Sequence, residues 1–153
     1  MTTRDSLKTV EQDILQQVKG HSAVESVSGI GSYYKGKKNP KDVDVYIKLK
    51  TGWRSTPTKD LAYKIYDVQN RHRLNGKDTL LNAFLEGPDG GVLDVADLWF
   101  IYEYGEDLRS NILQRQEDFE EYIPDWKKAR TIAYNKKRTR RSTKTSPSLK
   151  GVQ

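Results

Sequence analysis

The chain has 153 residues and a mass of 17.6 kDa, room for one compact domain with a real core and little room for a second. It contains no cysteine, which excludes disulfides, thiolate metal sites and cysteine nucleophiles and fits a reducing compartment. The N-terminal Met1-Thr2-Thr3-Arg4-Asp5 lacks an apolar signal segment, and no run approaches the ~18 apolar residues of a bilayer span, so a cytoplasmic protein without membrane attachment is expected.

Charge is segregated along the chain. The formal net charge is +6, yet ten of the 27 Lys and Arg lie from Lys127 onward, and all 21 Asp and Glu lie at or before Asp125. Seventeen bases against 21 acids leave −4 on residues 1–126, against +10 on the rest. A mildly acidic body with a basic arm points to a polyanionic partner, RNA or DNA, held through counterion release; folding of the arm onto the acidic patch Glu117, Asp118, Glu120 and Glu121 is the alternative.

In chain order, Leu7, Val10, Ile14 and Val18 recur at three-to-four spacing and predict a helix over 5–19, stopped by Gly20. Val24 to Ser28 reads as a short strand feeding Gly29; His21, in the connection, carries no assigned role. Gly29, Gly31 and Ser32 open a tight turn where missing side chains let a ligand approach backbone N–H groups. A helical turn and a loop should follow to Lys41, with Lys35, Lys37, Lys38 and Lys41 facing phosphate or solvent, and with Tyr33 and Tyr34 expected in the core rather than stacked on a base.

The next strand alternates strictly. Val43, Val45, Ile47 and Leu49 share a core face, while Asp42, Asp44, Tyr46 and Lys48 share the other. The two carboxylates then sit about 7 Å apart along the strand, within reach of the same one or two divalent cations. Ser55-Thr56-Pro57 is a helix start, with a capping hydroxyl and an early proline; the stripe Leu61, Ala62, Ile65, Tyr66 carries the helix to the Asn75-Gly76 breaker. Arg71, His72 and Arg73 at its end suit the helix dipole.

Thr79 to Glu86 and Gly91 to Phe100 are extended candidates joined by the turn Gly87-Pro88-Asp89-Gly90-Gly91, predicting an antiparallel hairpin. Asp94 lies among Val, Leu and Ala, where an unpaired carboxylate costs free energy that a cation shared with Asp42 and Asp44 would remove. The rival assignment makes Asp97 functional and Asp94 a satisfied structural acid. Beyond Phe100, Leu108, Ile112, Leu113, Phe119 and Tyr122 predict a helix, and Pro124-Asp125 opens another carrying Trp126, Ala129, Ile132 and Ala133. The expected organisation is one domain over 1–138 and a basic, disordered tail over 139–153.

Gly31-Ser32, nine residues that include Gly36, Asp42-Val43-Asp44-Val45, and the later Val92-Leu93-Asp94-Val95 together resemble the signature of the DNA polymerase beta-type nucleotidyltransferase superfamily. That superfamily includes CCA-adding enzymes, poly(A) polymerases, oligoadenylate synthases and the minimal nucleotidyltransferases of toxin–antitoxin pairs. The resemblance spans roughly residues 24 to 98 and implies an α+β fold, a small mixed or antiparallel sheet of about four strands packed with helices. It implies that Asp42, Asp44 and Asp94 are catalytic and bind Mg²⁺ or Mn²⁺, and that Gly31, Ser32 and Lys41 contact the phosphates of a nucleoside triphosphate. The implied reaction moves a nucleoside monophosphate to a hydroxyl acceptor, a nucleic-acid 3′ end or, for the minimal type, a protein or tRNA. A non-catalytic nucleic-acid-binding module and a homo- or hetero-oligomer are the remaining options. Oxygen donors, with no cysteine and only two histidines, argue against zinc.

Overall fold

The computed structural model describes residues 4–74, 78–105 and 130–134. The fold is α+β. Helix α1 (Arg4–Val18) leads into strand β1 (Val24–Ile30), a single helical turn α2 (Gly31–Tyr34) and strand β2 (Val43–Leu49). Helix α3 (Thr56–Arg71), the short strands β3 (Arg73–Leu74) and β4 (Asp78–Thr79), strands β5 (Leu81–Glu86) and β6 (Val92–Asp94), helix α4 (Val95–Tyr104) and strand β7 (Arg130–Tyr134) complete it. The main sheet is mixed and has the order β6-β5-β2-β1-β7; β1 runs antiparallel to β2, β2 parallel to β5, and β5 antiparallel to β6.

One face of this sheet forms the core. Val43, Val45, Ile47 and Leu49 of β2 join Leu81, Ala83 and Leu85 of β5 and Val27 of β1, under Leu7, Val10, Ile14 and Val18 of α1 and Leu61, Ala62 and Ile65 of α3. Full burial of each large aliphatic side chain contributes about 1.5–3 kcal/mol, so this layer dominates the stability of the domain. The alternation of β2 and the stripe of α1 therefore form where the sequence places them. Helix α3 is capped as its sequence predicts, the Ser55 hydroxyl accepting from the Thr58 N–H at 3.2 Å with proline in the first turn. It ends at Arg71 rather than at Asn75-Gly76, because Arg73 and Leu74 leave the helix to pair with Thr79 and Asp78.

Two further segments depart from expectation. The hairpin of β5 and β6 forms, but its second strand stops at Asp94 and the chain turns helical at Val95 instead of staying extended to Phe100. Asp94 is the N-cap of α4, its Oδ1 accepting from the Asp97 N–H at 3.0 Å, and Val95, Leu98 and Ile101 then bury a helical rather than an alternating set. Residues 130–134 are β7, not the helix predicted from Pro124 onward; β-branched Thr131 and Ile132 suit a strand, and β1 offers an open edge to pair with. The predicted helix after Gly105, the acidic patch at 117–121 and the basic tail lie outside the described residues. Among the described residues, no helix is long and apolar enough to cross a membrane.

Candidate active site

The second face of the sheet carries the polar residues. In register, Ile30 of β1, Asp44 of β2 and Asn82 of β5 form one row; Ser28, Tyr46, Phe84 and Asp94 form the next. Ile30, Tyr46, Val92 and Phe84 make a small apolar cluster on this face, and the Tyr46 hydroxyl donates to Glu86. Asp44 is thus set into a half-apolar surface and is only 4% exposed.

Asp42, immediately before β2, and Asp44, inside it, are brought together by a third side chain. Asn82 Nδ2 donates to Asp42 Oδ2 and to Asp44 Oδ1, both at 3.0 Å. Burial, then the negative charge of Asp42, pushes Asp44 up from 3.8 to about 7. Burial also raises Asp42, against the opposing pull of its hydrogen bonds with Asp44 and Asn82 and of the Lys41 charge. Lys41 itself is exposed and acts on Asp42 electrostatically.

The glycine bend lies against this pair. Gly31 has φ +78°, and a Cβ built on it would sit 2.3 Å from Asp44 Oδ2. Glycine is required there twice over, for the left-handed backbone and for the carboxylate that fills the space of a side chain. Gly29 works differently: a Cβ there would meet the Tyr34 ring at 2.4 Å. Tyr34 packs against the core, and the buried Tyr33 donates to Glu11 at 3.1 Å, so both tyrosines take the core roles expected of them. Ser32, half-buried, follows Gly31 in the first turn of α2, and Lys35, Lys37 and Lys38 are exposed beyond it.

Asp94 faces the same side of the sheet, one strand and one row beyond Asn82, and its carboxylate holds the first turn of α4. The structure therefore brings Asp42, Asp44 and Gly31 together and leaves Asp94 nearby with a capping role of its own. Among the described residues, no three His, Cys, Asp or Glu side chains are grouped closely enough to hold one ion. Asn82 escaped the sequence reading, because an amide within an apolar strand becomes meaningful only once the parallel register sets it opposite Asp44.

The donor chemistry fits a hard divalent cation. Two carboxylates are held side by side by a neutral amide in a partly dry setting, with the Asp44 carboxylate seated in the space that a Cβ on residue 31 would take. Fold and site define a small α+β domain with a buried, amide-bridged carboxylate pair at the edge of a glycine bend. No family model, curated protein or solved structure gives a match to this chain.

Proposed function

We propose that this protein is a metal-dependent nucleotidyltransferase that moves a nucleoside monophosphate from a nucleoside triphosphate to a hydroxyl acceptor, with a nucleic-acid 3′ end as the first candidate. The observation that carries the reading is the convergence of Asp42, Asp44 and the Gly31 bend, which the sequence resemblance also requires. Asp42 and Asp44 would hold the cation, Mg²⁺ or Mn²⁺, with Asp94 as the third acid of the reading. Gly31, Ser32 and Lys41 would contact the triphosphate. When bound, the cation supplies charge neutralisation on the phosphates and lowers the pKa of the acceptor hydroxyl. In the reaction the acceptor oxygen attacks the α phosphorus, the α–β phosphoanhydride breaks, pyrophosphate leaves and the hydroxyl proton is released. The basic segment from Lys127 onward would supply phosphate contacts to a nucleic-acid acceptor.

A specific observation favours a second reading. The Asp94 carboxylate is engaged at the start of α4, which suits a nucleic-acid-binding module that retains the fold without turnover. Labelled ATP, GTP, CTP and UTP, each with Mg²⁺ or Mn²⁺, offered with total RNA, single-stranded DNA or no acceptor, separate the two. Label entering one acceptor pool, and lost in an Asp42→Asn, Asp44→Asn double variant, supports the transferase. Undiminished nucleic-acid binding by that variant, with no incorporation by either protein, supports the module.

A further inference from the structure

We propose that Asn82 is the positioning residue of this site: its carboxamide sets the Asp42 and Asp44 carboxylates side by side in a cation-ready arrangement before any cation arrives. This rests on the reading of Asp42 and Asp44 as cation ligands. A carboxamide nitrogen carries two hydrogens, and here each acceptor, Asp42 Oδ2 and Asp44 Oδ1, lies 3.0 Å from that nitrogen. Turning the amide over would aim its oxygen at two carboxylates, so the charge of the pair selects the donor orientation. A lysine or arginine in this place would also draw the carboxylates together, but it would neutralise the charge that attracts a cation. Asparagine holds them and leaves the charge intact.

The amide is itself fixed. Asn82 stands opposite Asp44 in a parallel register that continues from Val43–Leu81 to Lys48–Glu86. The residue before it is anchored at both its N–H and its carbonyl: Gln69 Nε2 donates to the Leu81 carbonyl at 3.1 Å, and the Thr79 hydroxyl donates to that carbonyl at 2.8 Å and accepts from the Leu81 N–H at 3.1 Å. A core helix and a short strand thus set the strand that aims Asn82. Hydrogen-bond partners of metal ligands, held in this way, commonly tune affinity by 10–100-fold.

The test is Mn²⁺ titration of the full chain, followed by loss of the free-ion EPR signal, for wild type, Asn82→Leu, Asn82→Ser and the Asp42→Asn, Asp44→Asn double variant, with thermal melts alongside. Leucine keeps the branched shape and removes both donors; serine offers one. The expected result is Mn²⁺ affinity weakened roughly 10–100-fold in Asn82→Leu, an intermediate loss in Asn82→Ser, and no specific binding in the double variant. Should Asn82→Leu fail to fold, the graded loss in Asn82→Ser carries the test. Wild-type affinity in the Asn82 variants, with binding lost in the double variant, overturns the role of Asn82 and leaves the cation site standing. Wild-type chain that binds no Mn²⁺ overturns both. Graded loss in a protein that transfers no nucleotide supports Asn82 and counts against the transferase alone.

Discussion

The two faces of β2 are built from alternating residues of one seven-residue strand, and they meet opposite physical demands. Val43, Val45, Ile47 and Leu49 lose water to α1 and α3 and gain stability from it. Asp44, between them in sequence, is buried to nearly the same degree, but it is an acid set beside a second acid, Asp42, which helps to push its pKa up to about 7. The ion pairs elsewhere in the molecule show the contrast from another side. Asp13 meets Arg71 at 2.9 Å and His72 at 2.8 Å between α1 and α3, and Asp60 meets His21 at 2.8 Å and Lys64 at 3.1 Å. Asp13 and Asp60 each face cationic or ionisable partners; Asp44 faces another acid and an amide. Under the proposed function, an incoming cation would supply the partner that the fold withholds.

The sharpest way to break the comparison is to neutralise the polar face. Asp44→Asn should lower metal-dependent nucleotide incorporation by at least about a hundredfold, the scale of losing one charge-stabilising group at a reaction centre. Above about pH 7, where Asp44 is ionised, the same change should raise the melting temperature of the cation-free protein, since it removes a buried like-charge repulsion. Ile47→Ala, on the other face and fully buried, should do the reverse: a loss of about 2–5 kcal/mol in a urea melt, with Mn²⁺ affinity unchanged below the transition. If the two variants moved stability in the same direction, the division of labour between the faces would be wrong.

A pH series sharpens the same point. Asp44, pushed up to about 7 in the folded chain against 3.8 for an ordinary aspartate, keeps its proton over a range where the unfolded chain has released it. Its contribution to stability is therefore full below 3.8 and lost as pH rises through about 7. Asp60, and Asp13 despite its partial burial, are lowered by their histidine and cationic partners, so what they contribute is lost only in acid, below the ordinary carboxylate range. Between about pH 5 and 8 the cation-free protein should lose up to a few kcal/mol of stability, and its melting temperature should fall, because each tenfold change in proton affinity is worth ~1.4 kcal/mol. Asp44→Asn should flatten that slope, and millimolar Mn²⁺ at pH 8 should restore the wild-type melting temperature. A slope that survives Asp44→Asn would place the titration elsewhere.

What the sequence made legible follows from how local each signal is. The alternation of β2, the stripe of α1 and the Ser55 cap are each complete within a few residues, and each appears where it was expected. Val95-Ala96-Asp97-Leu98-Trp99-Phe100-Ile101 is apolar enough to read as strand or helix, and periodicity alone could not choose. The deciding feature was Asp94 three residues before Asp97, a capping geometry hidden by assigning the same carboxylate to a metal. Strand β7 and the amide of Asn82 depend on partners distant in the chain, β1 for the one and Asp42 and Asp44 for the other, so no local pattern announces them.

The smallest expected change in stability tests the residue on which the sequence and structural readings diverge. Asp94 caps α4, and replacing a capping aspartate with alanine costs about 1 kcal/mol, whereas asparagine caps equally well. Asp94→Ala should therefore lower the melting temperature and Asp94→Asn should leave it in place. Activity follows a different logic. If the Asp94 carboxylate serves nucleotide transfer, both variants lose turnover, and the asparagine variant loses it with its fold undisturbed; that is the outcome expected of the proposed function. If Asp94→Asn keeps full turnover, its charge has no part in the chemistry, Asp94 is a helix cap only, and the cation must be held by Asp42 and Asp44 without it. The capping bond is common to both outcomes, so the melts fix the structural role independently of which way the turnover falls.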